Sequence, residues 1–303
     1  MNDRTAATVG VFGLGSMGSG MAASLLRAGA RVHGFDTDAQ AVARFERAGG
    51  AGGDPAGIAA TLDIAVIVVV NATQIEAVLF GENGISERLP KGAVIVACAT
   101  VPPDFARTTE ARLSRLGLLY LDAPISGGAA KAANGALTIM ASGKPEAFDA
   151  AAPALGAVAE KVFRLGDAAG PGSAMKAVNQ MLAGVHIAAA AEAMTFGMTQ
   201  GVEPARCLEV ISQCAGTSWM FENRGAHIAD GDYAPRSAVE IFVKDLGIVG
   251  DIARAARFSA PLTAAALQQF LAAAGMGLGR EDDAAVAKVY ARNAGLTLPG
   301  EAS

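Results

Sequence analysis

A lysine followed by two side-chain amides is the group of residues in this sequence best suited to move a proton. Asn179 and Gln180 follow Lys176 by three and four positions. On a helix this spacing places all three on one face. The neighbouring residues are alanine, methionine and valine, which indicates a buried helix. Because burial lowers the pKa of a lysine, Lys176 is a candidate general acid or base, although a lone helical lysine is more often a solvated surface residue.

A loop of small residues is a candidate site for an anionic group. The segment Asp122–Gly128 leaves a predicted strand and ends in Ser126, Gly127 and Gly128. Successive backbone N–H groups in such a turn can form a concave site for a carboxylate. The alternative is a flexible hairpin loop, which the local sequence alone slightly favours.

A glycine-rich turn is the third candidate, Gly13-Leu14-Gly15-Ser16-Met17-Gly18. It directly follows the first predicted strand and opens a helix, as a dinucleotide-binding turn must. Gly13 permits the tight turn, Gly15 lets the backbone approach a pyrophosphate, and Gly18 allows the helix to pack closely on the strand. The helix N-terminus adds free N–H groups and a positive dipole end.

An aspartate after the second predicted strand indicates which dinucleotide binds. Asp36 stands 18 residues after Gly18, where a carboxylate can bind the ribose hydroxyls of the adenosine. It would repel the 2′-phosphate of NADP, and the next residues, Thr37 and Asp38, supply no arginine to compensate. The predicted cofactor is therefore NAD.

Alternating strand and helix patterns position these residues in the first half of the chain. Six strands are predicted, at Thr8–Phe12, Arg31–Phe35, Ile64–Val70, Ala93–Ala97, Leu118–Asp122 and Leu137–Ala141. Helices are predicted between them, at Met17–Ala28, Ala39–Arg47, Ile75–Phe80 and Pro103–Arg115. The alternation predicts βαβ units and a parallel sheet. Val70, Asn71 and Thr100 follow two of the strands, where they contact a bound dinucleotide or simply serve as turn residues.

The second half is predicted to be helical. A long helical stretch begins near residue 172, and glycines and a proline at 166–172 predict the domain boundary. We therefore expect an α/β Rossmann domain with a mostly parallel, doubly wound sheet over residues 1–168. An all-α domain follows over residues 169–303, joined by a long interdomain helix. Lys244-Asp245 is predicted to begin a later helix with a salt bridge at its end, and His227 is predicted to lie in a loop.

Composition excludes several partners. The formal net charge is −5 and basic residues occur at most in pairs, which argues against nucleic acid. The three cysteines and three histidines have no common zinc spacing, so we expect no metal and a reducing, cytoplasmic compartment. No signal peptide is visible, and the apolar stretch Met181–Ala191 is too short to cross a membrane. The alanine- and leucine-rich helices predict a homodimer or homotetramer.

Four segments together resemble the signatures of the β-hydroxyacid dehydrogenase family: Gly13–Met21, Asp122–Gly128, Gly172–Gln180 and Lys244-Asp245. The resemblance covers essentially the whole chain. It implies that Lys176 is the general acid/base and that Ser126, Gly127 and Gly128 hold the carboxylate of a small hydroxy acid. It also implies that Asn71 and Thr100 line the cofactor pocket and that Lys244 contacts cofactor or substrate.

One position departs from the family pattern. The family usually has two asparagines after the lysine, whereas this chain has Asn179-Gln180. Glutamine moves the amide by about 1.5 Å, the length of one C–C bond, so a different substrate is expected. The segments Val70–Glu76, Gly127–Ala133 and Leu182–His186 resemble the L-threonate dehydrogenase branch, which oxidises four-carbon sugar acids with NAD. Gln180 and His186 are possible partners for extra hydroxyl groups, although a core histidine is the more ordinary interpretation of His186.

Alternatives of three kinds compete with this function. Within the family, 3-hydroxyisobutyrate dehydrogenase and tartronate semialdehyde reductase are the alternatives. Among related enzymes, an imine reductase is expected to lack Lys176, and a 6-phosphogluconate dehydrogenase needs a longer helical domain and a basic cluster. A non-enzymatic dinucleotide-binding reader or scaffold is the third, and the retained lysine argues against it.

Overall fold

The computed structural model describes residues 7–301. The chain divides into two compact units, residues 1–176 and 177–303. The first contains the strands and the second is helical, which confirms the predicted fold class.

The main sheet of the first unit is parallel throughout. Its strands are β1 (Thr8–Phe12), β2 (Arg31–Phe35), β3 (Ile64–Ile67), β4 (Val94–Ala97) and β5 (Leu119–Asp122). They lie in the order β2-β1-β3-β4-β5. Every residue of β1, β3 and β4 is buried, because helices cover both faces of the sheet. The carboxyl ends of all five strands therefore meet at one edge, with the order reversing between β1 and β3.

A second, smaller sheet follows. It consists of β6 (Ile125–Ser126), β7 (Leu137–Ala141) and β8 (Ala159–Arg164). β6 pairs antiparallel with β7, and β7 pairs parallel with β8. The sixth predicted strand, Leu137–Ala141, has the predicted bounds but belongs to this sheet.

Helices connect the strands of the first unit: α1 (Ser16–Arg27), α2 (Ala39–Arg47), α3 (Pro55–Ile58), α4 (Ala72–Phe80), α5 (Pro103–Arg115), α6 (Gly128–Asn134) and α7 (Pro145–Val158). The third strand is shorter than predicted, because the chain leaves the sheet after Ile67 and Asn71 caps α4. The alternative of a flexible loop after Ser126 is wrong, since α6 begins at Gly128.

Helices build the second unit, beginning with the later turns of α8 (Pro171–Thr199), which spans the division between the units. The others are α9 (Pro204–Ile211), α10 (Trp219–Asp230), α11 (Val239–Ala255), α12 (Pro261–Ala273) and α13 (Ala287–Ala294). Two predictions are wrong here. Lys244-Asp245 lies inside α11 and does not begin it, because the helix starts at Val239. His227 lies in α10, where it is buried beside Asp282 and not in a loop.

By length and composition alone, α8 could cross a membrane. However, 44% of its most apolar window is buried inside the protein. Core helices of globular proteins pass the same test, so the helix is weak evidence for a membrane span.

Candidate active site

The glycine-rich turn lies at the carboxyl end of β1, and each glycine has a distinct geometric reason. Gly13 has φ +99°, and a Cβ there would lie 2.3 Å from the Val68 carbonyl oxygen. A Cβ on Gly18 would lie 1.8 Å from the Gly13 carbonyl oxygen. Gly15 has no neighbour within 4 Å of its Cβ position. Gly13 and Gly18 therefore make the turn possible, and Gly15 leaves open space at the helix N-terminus.

Asp36 is tied to this turn. Its Oδ2 accepts a hydrogen bond from the Leu14 backbone N–H at 2.6 Å, and its Oδ1 accepts from the Asp38 N–H at 2.9 Å. The carboxylate is partly exposed at the end of β2. Arg44 of α2 lines the cavity beside this turn. Its guanidinium is 3.5 Å from the Asp38 carboxylate, so its positive charge is paired with the negative charge of Asp38.

The loops after β3 and β4 end at the same edge of the sheet. Asn71 accepts a hydrogen bond from the Gln74 N–H at 2.9 Å and thereby caps α4. The Val70 N–H donates to Gln74 Oε1 at 2.7 Å, while its side chain is exposed. Thr100 is partly exposed after β4. The Asn71 side chain thus caps a helix, a role that is separate from the predicted cofactor contact and does not prevent it.

The residues present fit a dinucleotide. No side chain caps the N-terminus of α1, so Ser16 and Met17 begin a helix whose first N–H groups face the open space at Gly15. A cavity of about 650 Å³ borders Gly15 and Ser16 on the side of α2. NAD phosphates would be held by this helix N-terminus and the ribose by Asp36.

The small-residue loop has the backbone that an anion site requires. Gly127 and Gly128 have φ +132° and +76°, values that residues with a side chain rarely adopt. A Cβ on Gly128 would have no neighbour within 4 Å, so the backbone faces open space there. Ser126 ends β6 just before this turn and is partly exposed.

Lys176 reaches this loop. It is 8% exposed, and its Nζ donates a hydrogen bond to the Ile125 carbonyl oxygen at 2.8 Å. Ile125 directly precedes Ser126, so the predicted general acid/base and the predicted carboxylate site are held together in the first unit.

Asp122 fixes the start of the lysine helix. Its carboxylate is buried and accepts hydrogen bonds from the Gly170 N–H at 2.9 Å, the Ser173 N–H at 2.8 Å and the Ser173 hydroxyl at 2.6 Å. Burial raises the pKa of Asp122, while the hydrogen bonds from Ser173, Gly170 and Ser142 oppose that rise. A Cβ on Gly172 would lie 2.5 Å from the Asp122 carbonyl oxygen, so this contact needs glycine.

The amides predicted beside Lys176 lie one turn further along α8, in the second unit. Gln180 is buried and its Nε2 donates a hydrogen bond to Asp245 Oδ2. Asn179 Nδ2 donates to Gln180 Oε1 at 2.8 Å. Lys244 Nζ lies 2.6 Å from Asp245 Oδ1, so its charge is paired with that carboxylate.

Two of these polar residues were not selected from the sequence. The sequence pattern places Asp122 at the start of its loop without predicting a role for it, and it predicts only a helix-end salt bridge for Asp245. Each acts across 48 or more residues, from Asp122 to Gly170 and from Asp245 to Gln180. A signal was present in both cases, namely an aspartate inside an apolar segment, since an aspartate is rarely buried without partners.

Among residues 7–301, no three histidine, cysteine, aspartate or glutamate side chains form a group that could hold a metal ion. The cysteines, Cys98, Cys207 and Cys214, are free. Burial raises the pKa of the Cys98 thiol to about 12, which makes it an unreactive core residue.

A parallel sheet with this glycine turn, an acidic residue after β2 and a buried lysine beside the Ser126–Gly128 loop is typical of a Rossmann-type oxidoreductase. A family model described as the NAD binding domain of 6-phosphogluconate dehydrogenase matches residues 8–166. A second, described as NAD-binding of NADP-dependent 3-hydroxyisobutyrate dehydrogenase, matches residues 170–290. The chain belongs to the β-hydroxyacid dehydrogenase family, and it is an NAD-dependent dehydrogenase, as the sequence predicted.

The chain is similar over most of its length to dehydrogenases of two small hydroxy acids. An L-threonate dehydrogenase of Cupriavidus necator is 53% identical over 97% of this chain and 98% of its own length. A 3-hydroxyisobutyrate dehydrogenase of Pseudomonas aeruginosa is 34% identical over 86% of this chain and 90% of its own length. A crystal structure described as 3-hydroxyisobutyrate dehydrogenase from Salmonella typhimurium has a TM-score of 0.89 and 48% identity, covering 93% of this chain and 99% of that one.

Proposed function

We propose that this protein oxidises a four-carbon sugar acid, L-threonate, with NAD, and that Lys176 is the general acid/base. The substrate carboxylate is held by Ser126, Gly127 and Gly128. Its hydroxyl groups form hydrogen bonds with Asn179 and Gln180. The cofactor lies on the Gly13–Gly18 turn with its ribose at Asp36, and Val70, Asn71, Thr100 and Lys244 contribute to its binding.

One observation carries the proposal for the chemistry: the buried Lys176 Nζ lies 2.8 Å from the carbonyl oxygen of Ile125, the residue before Ser126. A proton-transfer group must be within hydrogen-bond reach of the substrate, and this contact holds Lys176 beside the loop that would bind the carboxylate. The buried Asp122 strengthens the argument, because it fixes the first turn of the lysine helix.

The reaction needs one proton and one hydride to leave the substrate. With Lys176 as the neutral amine, its Nζ takes the hydroxyl proton and becomes an ammonium. NAD, held by the Gly13–Gly18 turn and Asp36, would supply the acceptor for the hydride that leaves the carbon carrying this oxygen. The C–O bond becomes a carbonyl, and Lys176 returns its proton to solvent before the next turnover. In the reverse direction the ammonium protonates the carbonyl oxygen.

A sugar acid is favoured over 3-hydroxyisobutyrate by the polar residues after Lys176. Asn179 and Gln180 supply hydrogen-bonding groups that a substrate with several hydroxyls can use and that a methyl group would leave unpaired. The L-threonate dehydrogenase of Cupriavidus necator is also more similar to this chain, at 53% identity, than the Pseudomonas aeruginosa 3-hydroxyisobutyrate dehydrogenase at 34%. The Salmonella typhimurium structure supports the second candidate, 3-hydroxyisobutyrate.

Steady-state kinetics with NAD decide between the candidates. We expect the highest kcat/KM with L-threonate, a lower value with 3-hydroxyisobutyrate, and little reduction of tartronate semialdehyde by NADH. A higher kcat/KM with 3-hydroxyisobutyrate would make the second candidate correct.

A homodimer or homotetramer is part of the proposal. Val178, Leu182 and Phe196 of α8 are 53%, 53% and 64% exposed, and their spacing places them on one side of the helix. Exposed apolar stripes of this kind usually mark association surfaces. Light scattering at working concentration should give twice or four times the monomer mass, and a monomer would contradict the proposal.

A cytoplasmic location is proposed from the cysteines. Cys98 and Cys207 are buried as free thiols and Cys214 is an exposed one, which suits a reducing compartment. Fractionation of the source cells should place the NAD-dependent activity with the cytoplasmic enzymes.

A further inference from the structure

Asp245, Gln180 and Asn179 form a row of hydrogen bonds inside the helical unit. Asp245 is 1% exposed and Gln180 is 7% exposed, whereas Asn179 is partly exposed. The row therefore runs from a buried carboxylate on α11 to an accessible amide on α8, the helix that carries Lys176.

Close packing of the two helices brings the row together. A Cβ on Gly184, one turn after Gln180, would lie 2.8 Å from the side chain of Leu246, the residue after Asp245. The glycine lets the Leu246 side chain of α11 pack directly on the backbone of α8. The glutamine side chain then spans the remaining gap to Asp245, and an asparagine would fall short by about 1.5 Å.

The carboxylate determines which way each amide points. An ionised carboxylate can only accept hydrogen bonds, so Gln180 must turn its NH₂ group toward Asp245. Its carbonyl oxygen then faces Asn179, which must donate with its own NH₂ group. The end of the Asn179 amide turned away from the row is consequently the carbonyl oxygen. Lys244 Nζ, 2.6 Å from Asp245 Oδ1, pairs with the other oxygen of this carboxylate.

We propose that Asp245 is a positioning residue that fixes the direction of both amides, so that Asn179 presents its carbonyl oxygen as an acceptor for a substrate hydroxyl. This rests on the proposed function. It extends that function by naming the substrate feature that the site recognises, namely a hydrogen-bond donor on the carbon chain of the acid. A methyl group, a fluorine or an ether oxygen at that position cannot donate and leaves the amide oxygen unpaired.

A stability cycle tests the direction of the amides without any substrate. In Asn179→Asp, Gln180 lies between two carboxylates and its single NH₂ group can face only one, so Tm should fall by about 4 °C. In Asn179→Asp with Asp245→Asn, Gln180 can turn over and satisfy both neighbours. The double variant should therefore be more stable than the sum of the two single effects predicts, again by about 4 °C.

The matched control repeats the cycle in a Gln180→Met background. Methionine is similar in size but has no amide, so any coupling that remains is direct repulsion between the two carboxylates. We expect most of the coupling to disappear. Additive Tm changes with Gln180 present, or equal coupling in the Gln180→Met background, would overturn the proposed direction.

Substrate discrimination provides the second test. The probes are L-threonate and its analogues with fluorine in place of the 3- or the 4-hydroxyl, since fluorine accepts but cannot donate. The wild-type kcat/KM should fall by about tenfold or more for at least one analogue. Asp245→Asn lets both amides turn over and present an N–H to the fluorine. The discrimination ratio, which is kcat/KM for L-threonate divided by kcat/KM for the analogue, should therefore shrink by about tenfold.

A charge swap distinguishes positioning from simple structural support. In Asp245→Asn with Gln180→Glu, the carboxylate stands one place further along the row, and Asn179 must again donate toward it. The discrimination ratio should return toward the wild-type value, although the Lys244 ion pair is lost. A ratio unchanged by Asp245→Asn, or not restored by the swap, would overturn the proposal. If the wild type oxidises no sugar acid, the proposed function fails, while the stability cycle still decides whether Asp245 directs the amides.

Discussion

The cofactor turn of the first unit is built from backbone and open space, whereas the polar groups of the helical unit are buried side chains paired across helices. Gly15 has no neighbour within 4 Å of its Cβ position, and the first N–H groups of α1 face that space. In the second unit, Arg224 lies against Asp283 and His227 Nδ1 is 2.8 Å from Asp282 Oδ1, with both carboxylates fully buried.

The difference has an energetic consequence. A backbone site places no charge in the core, so the first unit keeps its cofactor turn at little cost in stability. Buried charges are costly unless every partner is present, so the helical unit depends on complete pairs. We therefore expect substitutions at Gly15 and Asp36, where side chains have open space or partial exposure, to change binding, and substitutions in the helical pairs to change folding.

Lys176 is the position where the largest effect on activity is expected. Lys176→Ala removes the proposed proton-transfer group and should lower kcat by about 10²–10⁴-fold. NAD affinity should change little, because the proposed cofactor site is the Gly13–Gly18 turn with Asp36. Steady-state kinetics and NAD titration measure both quantities, with Lys161→Ala, an exposed lysine of the same unit, as the control. Near-normal turnover would mean that another group is the base.

Arg224 is where the largest effect on stability is expected. Arg224→Met leaves the Asp283 carboxylate buried without its partner and should lower the free energy of unfolding by about 3–5 kcal/mol. Arg206→Ala breaks the exposed Arg206–Glu209 ion pair and should cost no more than about 1 kcal/mol. Urea unfolding compares the two. Equal effects would contradict the view that the helical unit rests on buried pairs.

Asp36 tests the cofactor turn. Asp36→Ala removes the charge that repels the 2′-phosphate of NADP and should narrow the preference for NAD by about tenfold. The comparison is kcat/KM with each cofactor, and Asp54→Asn, an exposed aspartate that caps α3, serves as the control. A wild-type enzyme that prefers NADP would show the ribose assignment to be wrong.

Tyr120 gives a smaller, pH-dependent effect in the first unit. Its hydroxyl is buried and has no hydrogen-bond partner among residues 7–301, and burial, reinforced by the charge of Asp122, raises its pKa well above 10. Above pH 10 the unfolded chain loses this proton and the folded chain keeps it, so folding stability falls as the pH rises. Relative to pH 7, the free energy of unfolding at pH 11 should fall by about 1.4 kcal/mol more in the wild type than in Tyr120→Phe. Between pH 7 and pH 8 it should change equally in both proteins. Parallel losses in both would contradict the assignment.

The same contrast explains what the sequence predicts well. The bounds of β1, β2, α2 and α5 were predicted without error, because apolar periodicity and capping residues are local signals. The Gly13–Gly18 turn and Asp36 were selected for the same reason, since turn geometry depends on adjacent residues.

Side-chain pairs distant in sequence could not be predicted in this way. The contacts from Gln180 to Asp245 and from Arg224 to Asp283 join residues 65 and 59 positions apart, and no local pattern contains both partners. α6 was missed because its glycines and alanines are typical of a loop, although Gly127 and Gly128 place it directly after β6. These contacts follow from packing, which a single sequence does not display.

The division of α8 between the two units bears on how such enzymes can be recombined. The first two turns, with Ser173 and Lys176, belong with Asp122 and Ile125, while the later turns belong to the helical core. A chimaera joined in the glycine-rich segment at 166–172 would take its lysine from one parent and the groups that anchor it from the other. A crossover after Lys176 would keep the proposed proton-transfer group and its anchors in one inherited block, and would exchange the Asn179–Gln180–Asp245 row as a whole.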